Sequence, residues 1–372
     1  MRIVLTGGGT GGHVFPLIAI ARELRRQLPN AELRFIGPAA FGADALERES
    51  VVVRGIIAGK LPRYPTPRLL LELLKIPAGF IIAFWELYWF MPDVVFGKGG
   101  YGMVPVVTVA WLFRIPIVIH ESDAVTGLST RICARFAKEV LLSFPATTAL
   151  PRLVEKRAHI VGNPVRKTLT QGNPQRAQQR FHLALKPVVL VLGGSQGAEE
   201  LNSLMVQIAP QLATESEVIH QTGARVADRF AREIALVLEP YPDTLRFYHV
   251  VPFLDEAALA DAYAVATVVV SRAGAGSIFE LALTGLPTIF LPLKSAAAHH
   301  QERNAAILAD LGAALTLSGA NLAPHLLLGS VEHLLKDAAA REVFRTRFRA
   351  FAKPDAAADI AATTIRLGQR RS

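Results

Sequence analysis

An α/β fold of two parallel-sheet domains is predicted by three features of the 372-residue sequence. A short apolar strand at the N-terminus runs into a glycine-rich turn and then a helix. The same strand–glycine–helix order restarts near the middle of the chain. The other strand candidates are continuously apolar, without the alternation of a half-exposed sheet, as strands covered by helices on both faces are. A chain of this length suits two domains of about 150–200 residues each.

In the first half, Arg2–Thr6 is the opening strand and Gly7-Gly8-Gly9-Thr10-Gly11-Gly12-His13 the turn. Pro16 suits a first helical position. Leu17, Ile20, Ala21, Leu24 and Leu28 follow at helical spacing, with Arg22, Glu23, Arg25 and Arg26 on the other face. Leu33–Gly37, Val94–Gly97 and Pro116–His120 are further strands. In the second half, Pro187–Leu192 leads into Gly193-Gly194-Ser195-Gln196-Gly197-Ala198. Glu217–His220, Leu245–Tyr248, Val268–Ser271 and Thr288–Leu291 are the strand candidates after it. One glycine loop is a weak signal. Two, each opening its own βα series, point to two Rossmann-like domains. The polar, proline-bearing stretch after Gly162-Asn163-Pro164 marks the boundary, giving an N-terminal domain 1–163 and a C-terminal domain 164–353. The alanine-rich helix 354–372 has no domain assigned by sequence; packing back on the N-terminal domain is one arrangement.

A composition 51% hydrophobic and 19% charged excludes disorder. The single cysteine, Cys133, excludes a disulfide framework and a multi-cysteine zinc site. The N-terminus breaks into glycines at once, so no secretory leader is expected and the chain reads as cytoplasmic. The formal charge of +9 is unevenly spread: residues 1–163 hold 19 Lys and Arg against 12 Asp and Glu, residues 164–372 hold 21 against 19. A basic half needs an anionic partner, and without any nucleic-acid module signature the candidates are an anionic membrane or substrate. Leu69–Met91 is long enough to cross a bilayer but contains Glu72, Lys75, Pro77, Gly79 and Glu86, so no span is predicted. Trp85, Tyr88, Trp89 and Phe90, with Arg54, Lys60, Arg63, Arg68 and Lys75 before or within the stretch, suit an interfacial element. A helix buried against the sheet is the alternative.

Ligands of open α/β sheets sit beyond the carboxyl ends of the strands, so two such domains facing across a cleft place their chemistry in these loops. The Gly7–His13 turn is neither a dinucleotide fingerprint with its ribose-binding acid nor a Lys-terminated phosphate loop. A tight glycine turn does present a base to a substrate, which makes His13 the candidate base. Gly97-Lys98-Gly99-Gly100-Tyr101-Gly102 offers amides for a diphosphate, with Lys98 adding charge. His120-Glu121-Ser122-Asp123 ends a buried strand, and no metal-ligand spacing accompanies it or His299-His300. In Ser271–Glu280 a strand ends and glycines open a helix with Glu280 in its first turn. Helix amides for a diphosphate and an acid for a ribose are the needs of a nucleotide-sugar donor. Ala298–Asn304 adds polar groups suited to sugar hydroxyls.

Taken together, Thr6–Pro16, the Gly-Gly-Tyr loop, His120–Asp123, Gly162-Asn-Pro-Val-Arg166, Gly193–Ala198, Gly274–Glu280 and Gln301…Asn304 stand in the order found in one family. From residue 2 to about residue 310 they resemble the MurG family, the N-acetylglucosaminyltransferases of peptidoglycan synthesis in glycosyltransferase family 28. The resemblance implies a GT-B fold and inverting transfer of GlcNAc from UDP-GlcNAc to the C4 hydroxyl of undecaprenyl-diphospho-N-acetylmuramoyl-pentapeptide (lipid I), giving lipid II, without cofactor or catalytic metal. It implies donor contacts at Thr10, Gly11, Gly12, Asp123, Arg166, Ser195, Leu254, Ala275, Gly276, Ser277, Glu280 and Gln301, and acceptor contacts at Gly99, Gly100 and Tyr101. His13 is the expected catalytic base, with Glu121 or Asp123 orienting or replacing it, and Arg166 the expected cation for the departing diphosphate. An anionic membrane surface and other cell-wall synthesis proteins are the implied partners, nucleic acid is not, and the location is peripheral, on the cytoplasmic face of the inner membrane. The sequence departs from the family in Asp123, where many members carry Asn, and in Ala296-Ala297-Ala298, where a more polar stretch is usual. Rival readings are another GT-B transferase with a UDP-sugar donor and a lipid acceptor, and a UDP-GlcNAc 2-epimerase.

Overall fold

The computed structural model describes the whole chain except residues 9–10, 39–41, 60–68, 146, 149, 185, 195–196, 293–298 and 371–372. The chain divides into two units, Met1–Arg166 with Lys353–Ser372, and Lys167–Ala352.

In the first unit the strands are β1 (Arg2–Thr6), β2 (Glu32–Gly37), β3 (Val52–Gly55), β4 (Val94–Gly97), β5 (Ile117–Glu121), β6 (Glu139–Leu142) and β7 (Ala158–Ile160). Its helices are α1 (Gly11–Gln27), α2 (Ala43–Arg48), α3 (Leu69–Phe90), α4 (Met103–Leu112) and α5 (Leu128–Cys133). All strands are parallel in the order β3-β2-β1-β4-β5-β6-β7. Val4, Val95, Ile117 and Val140 look toward α3 and α4 on one face, while Leu5, Phe96 and Val118 look toward α1 on the other. Burial on both faces is the reason these strands lack alternation.

The second unit holds α6 (Pro174–Phe181), β8 (Val188–Leu192), α7 (Glu199–Glu215), β9 (Glu217–Gln221), α8 (Ala227–Leu238), β10 (Tyr248–Val251), α9 (Glu256–Val265), β11 (Ala266–Ser271), α10 (Ala275–Thr284), β12 (Thr288–Phe290), α11 (His300–Asp310), β13 (Leu315–Thr316), α12 (Pro324–Lys336) and α13 (Ala338–Phe351). Its sheet is parallel in the order β10-β9-β8-β11-β12-β13. α14 (Ala356–Gln369) returns to the first unit, where Ile360, Ala361 and Leu367 join the core beneath α1.

Several sequence expectations shift. Helix α1 begins at Gly11, so Pro16 lies inside it rather than at its start; the glycines of the turn are themselves its first residues. Leu245–Phe247 is a 3₁₀ turn and the strand expected there starts only at Tyr248. Strands β3, β6, β7 and β13 were not among the expected strands; β3, β7 and β13 are short edge strands that need little burial, whereas β6 carries the buried apolar run Val140–Leu142. The change of unit falls at 166/167 rather than at 163/164. At Gly162, φ is +87° and an added Cβ would lie 2.3 Å from Lys353 Cβ, so the chain's two passages near the boundary pack against each other there.

Candidate active site

In both sheets the order of connection reverses at one strand. β1 lies between β2 and β4, and β8 between β9 and β11, so the loops after the central pair diverge and leave a crevice at their carboxyl ends. Register sets the loops side by side: Thr6 pairs Gly97, Gly97 pairs Ile119, and Leu192 pairs both Gln221 and Ser271.

At the crevice of the first unit stands His13, in the first turn of α1. Its Nδ1 donates to the Lys98 carbonyl at 3.1 Å. A carbonyl only accepts, so Nδ1 carries the proton, and in the neutral form of the ring Nε2 is the basic nitrogen. Three glycines form the cradle of the ring. A Cβ at Gly8 would lie 2.6 Å from His13 Cδ2, and one at Gly100 would lie 2.6 Å from Gly8 Cα and 3.2 Å from His13 Nε2. Gly99 and Gly100 also hold φ of +82° and +80°, the left-handed region glycine tolerates. These glycines therefore have a packing role beside any acceptor contact. Tyr101 follows them in the turn into α4, where its carbonyl accepts from Val104 N at 3.3 Å.

Lys98 does not lie on the loop surface with its charge toward a ligand. Its side chain is fully buried, and Nζ donates to Ser122 Oγ and to Asn163 Oδ1, the latter at 3.0 Å. Burial lowers its pKa to about 7, against the pull of Glu121 and Asp123. His120 is equally buried; its Nε2 donates to the Gly162 carbonyl at 2.8 Å, and desolvation followed by the Lys98 charge holds it well below the usual histidine range.

Glu121 serves a different purpose from the one expected of it. One carboxylate oxygen accepts from Asp123 N at 3.2 Å and the other from Gly127 N at 3.0 Å, the residue that opens α5. It is a fastener of the loop bearing Asp123, and the group that orients His13 is a backbone carbonyl. Burial, then the neighbouring Asp123, raises the Glu121 pKa. Arg166 lies in the first unit, not the second, buried with its guanidinium 4.5 Å above the Phe15 ring of α1. Gly11 is buried and Gly12 exposed at the start of α1. Thr10 lies outside the described residues, as does Ser195.

At the crevice of the second unit, α10 opens with Gly274 as its N-cap, followed by Ala275, Gly276 and Ser277. Cβ atoms at Gly274 and Gly276 would meet nothing within 4 Å, so protein packing does not demand glycine there. Glu280 is the sixth residue of α10, in its second turn rather than its first, three residues after Ser277 and on the same face. Gln301, buried, is the second residue of α11, and Asn304 donates to the Ala273 carbonyl at 3.2 Å, tying α11 to the turn before α10. Leu254 is buried and its amide donates to Gln221 Oε1 at 3.1 Å.

Sequence reasoning passed over Arg272. It directly follows β11 and stands two residues before Gly274, the N-cap of α10, with Nη1 3.9 Å from where a Gly194 Cβ would stand. Its Nε is buried without a hydrogen-bond partner among the described residues, and desolvation lowers its pKa. An arginine directly after a buried apolar strand and before a glycine turn was the available signal.

Residues 3–142 match the family model for the glycosyltransferase family 28 N-terminal domain, and residues 188–360 that for the family 28 C-terminal domain. The chain belongs to glycosyltransferase family 28. Relatives of this family 28 chain include the UDP-N-acetylglucosamine–N-acetylmuramyl-(pentapeptide) pyrophosphoryl-undecaprenol N-acetylglucosamine transferase of Treponema pallidum, 36% identical over 91% of this chain and 88% of that protein. The protein of the same name from an Anaeromyxobacter strain is 35% identical over 100% of this chain and 94% of its own. Among solved structures, MurG of Acinetobacter baumannii superposes with a TM-score of 0.73 at 28% identity, covering 98% of this chain and 99% of that one. The UDP-GlcNAc 2-epimerase of Neisseria meningitidis, with a TM-score of 0.69 at 13% identity over 98% of this chain and 100% of its own, shares the fold alone. Family 28 membership and these neighbours make the two Rossmann-like units a GT-B pair.

Proposed function

We propose that this chain transfers GlcNAc from UDP-GlcNAc to the C4 hydroxyl of lipid I, with inversion at the anomeric carbon, to give lipid II. The observation that carries the reading is its full-length likeness to the transferases of that name. As the acceptor oxygen attacks the anomeric carbon, its proton passes to His13 Nε2 and the bond to the UDP oxygen breaks, the electron pair leaving with UDP. Negative charge grows on the departing diphosphate. The amides that open α10 and the Arg272 guanidinium are suited to meet it, since preorganised donors in a desolvated site stabilise developing charge strongly. Arg272 takes the role expected of Arg166, because it belongs to the unit that carries the donor loops. Glu280 is assigned the ribose hydroxyls, Gly11, Gly12, Gln301 and Asp123 other donor contacts, and Gly99, Gly100 and Tyr101 the acceptor side. No cofactor or metal enters the scheme.

The deciding experiment is transfer of labelled GlcNAc from UDP-GlcNAc to a lipid I analogue. Label in lipid II supports the reading. Label transferred only to diacylglycerol, or free ManNAc formed without acceptor, would replace it with one of its rivals.

Bare glycine at the α10 start yields a separate test. Gly276→Ala places a methyl in open space, so the helix should gain roughly 0.5 kcal/mol. The same methyl would stand where the diphosphate approaches, so KM for UDP-GlcNAc should rise about tenfold or more. Calorimetry and initial rates read the two effects; a higher Tm with unchanged KM would remove the donor from that helix end.

Peripheral attachment to the cytoplasmic face of the inner membrane is part of the proposal. Among the described residues no helix is long and apolar enough to cross a membrane. Helix α3 buries Ala83, Leu87 and Phe90 against its neighbours, so the stretch is neither wholly buried nor wholly interfacial. Its outer face exposes Phe84, Trp85, Tyr88 and Trp89, with Trp89 75% exposed and stacked on Trp85, and Trp111 and Leu112 of α4 are exposed as well. Of the nearby cations, Lys60, Arg63 and Arg68 lie outside the described residues, while Lys75 pairs with Glu72 at 2.6 Å. Replacing Trp85 and Trp89 by serine should weaken binding to phosphatidylglycerol vesicles about tenfold or more. Unchanged flotation with such vesicles would end this part of the proposal.

A further inference from the structure

The residue between Gly97 and Gly99 reaches the site in two ways at once. The Lys98 main chain supplies the carbonyl that takes the His13 Nδ1 proton. Its side chain runs back into the unit, fully buried, and binds Ser122 beyond β5 and Asn163 in the segment after β7. The turn that follows, Gly99-Gly100, has two consecutive left-handed residues and little intrinsic preference for one geometry. A buried ammonium held at two points is an anchor for such a turn. It costs desolvation, which a methyl-terminated side chain of the same length would avoid.

We propose that Lys98 is a positioning residue for His13: its anchored ammonium fixes the carbonyl that holds the proton on Nδ1, so that Nε2 is the nitrogen offered to the acceptor. The catalytic half of this statement rests on the transfer reading above; the tautomer half does not. The groups around the ammonium are Glu121 and neutral His120 from β5, Ser122 and Asp123 from the loop after it, and Asn163. Two acids against one lysine favour its charged form, and burial opposes it, leaving the pKa at about 7. The anchor is therefore charged below pH 7 and loses its charge as the pH rises through that value, so the control over His13 should fade on the alkaline side.

The test uses the full chain with ¹⁵N-labelled histidine, and two variants. Lys98→Met removes the ammonium at nearly constant shape; Ser122→Ala removes one of its partners and leaves Lys98 in place. Imidazole ¹⁵N shifts of His13, assigned by its loss in His13→Ala, should report the Nδ1–H tautomer in the wild type at pH 6.5. Both variants should show a mixture with Nε2–H. With UDP-GlcNAc and a lipid I analogue, kcat should fall about tenfold or more in Lys98→Met while KM for UDP-GlcNAc stays within about twofold. The alkaline decline of kcat around pH 7 should be present in the wild type and missing from that variant. If Lys98→Met does not fold, the Ser122→Ala tautomer decides. An unchanged tautomer in the folded variants, or a pH profile that keeps the same alkaline limb in Lys98→Met, overturns the proposal. A wild type that shows the expected tautomer shift but transfers no GlcNAc to lipid I overturns the transfer reading and leaves the positioning of His13 standing.

Discussion

Replacing His13 by alanine is expected to lower kcat by about 10²–10⁴-fold, the usual range for a general base, with KM for UDP-GlcNAc changed by less than about threefold. The split follows from where the ring sits. His13 opens α1 in the first unit, whereas the helix start and the arginine assigned to the donor diphosphate belong to the second. The ring's Nδ1 is already engaged by the Lys98 carbonyl at 3.1 Å, so what is lost is Nε2 as proton acceptor. His13→Gln, which cannot accept a proton at neutral pH, should be nearly as slow. Steady-state rates with both substrates varied measure the split. Near-normal turnover in His13→Ala would remove it from the role of base. A large rise in donor KM at constant kcat would make it a binding residue.

The second large effect is expected at a residue with no chemistry of its own. Gly100→Ala should destabilise the first unit by about 2–4 kcal/mol, combining a left-handed conformation costing about 1–2 kcal/mol with a backbone clash. The clash is specific: the new Cβ would lie 2.6 Å from Gly8 Cα and 2.7 Å from Gly8 N. Neither neighbour is the end of a flexible side chain, so the two turns must separate. Since the same Cβ comes within 3.2 Å of His13 Nε2, activity should fall further than the loss of folded protein explains. Thermal unfolding, with kcat measured well below the new Tm, separates the two consequences. An unchanged Tm would show that the turns have room to part.

The comparison of Gly100 with Gly276 shows how far a sequence can be read here. Both are glycines in the glycine-rich stretches after buried strands, and both drew notice as sites where a ligand approaches the backbone. Only the coordinates distinguish them. At Gly100 the space for a side chain is filled by another turn of the same unit; at Gly276 it is empty. The difference lies in what a non-local neighbour occupies. Glu121 and Lys98 teach the same lesson. An acid at the end of a buried strand suggests a group that orients or replaces His13, but the two oxygens of Glu121 close on the Asp123 and Gly127 amides. A lysine among glycines suggests a phosphate contact, but its side chain turns inward to Ser122 and Asn163. Side-chain direction at the end of a strand depends on which neighbour offers a partner, and that is set by the order of strands in the sheet.

What the sequence by itself determined is the architecture and the set of loops to inspect. Continuous apolar runs need cover on both faces, and glycine turns at their carboxyl ends mark where helices begin, so two parallel α/β units and the neighbourhood of the site were legible from local pattern alone. The return of α14 to the first unit, the membership of Arg166 in that unit, and the place of Arg272 beside the α10 start were decided only in three dimensions. So was the hydrogen bond that leaves Nε2 of His13 as the accepting nitrogen. Each of these depends on contacts between residues far apart in the chain, which no period of 2 or 3.6 residues encodes.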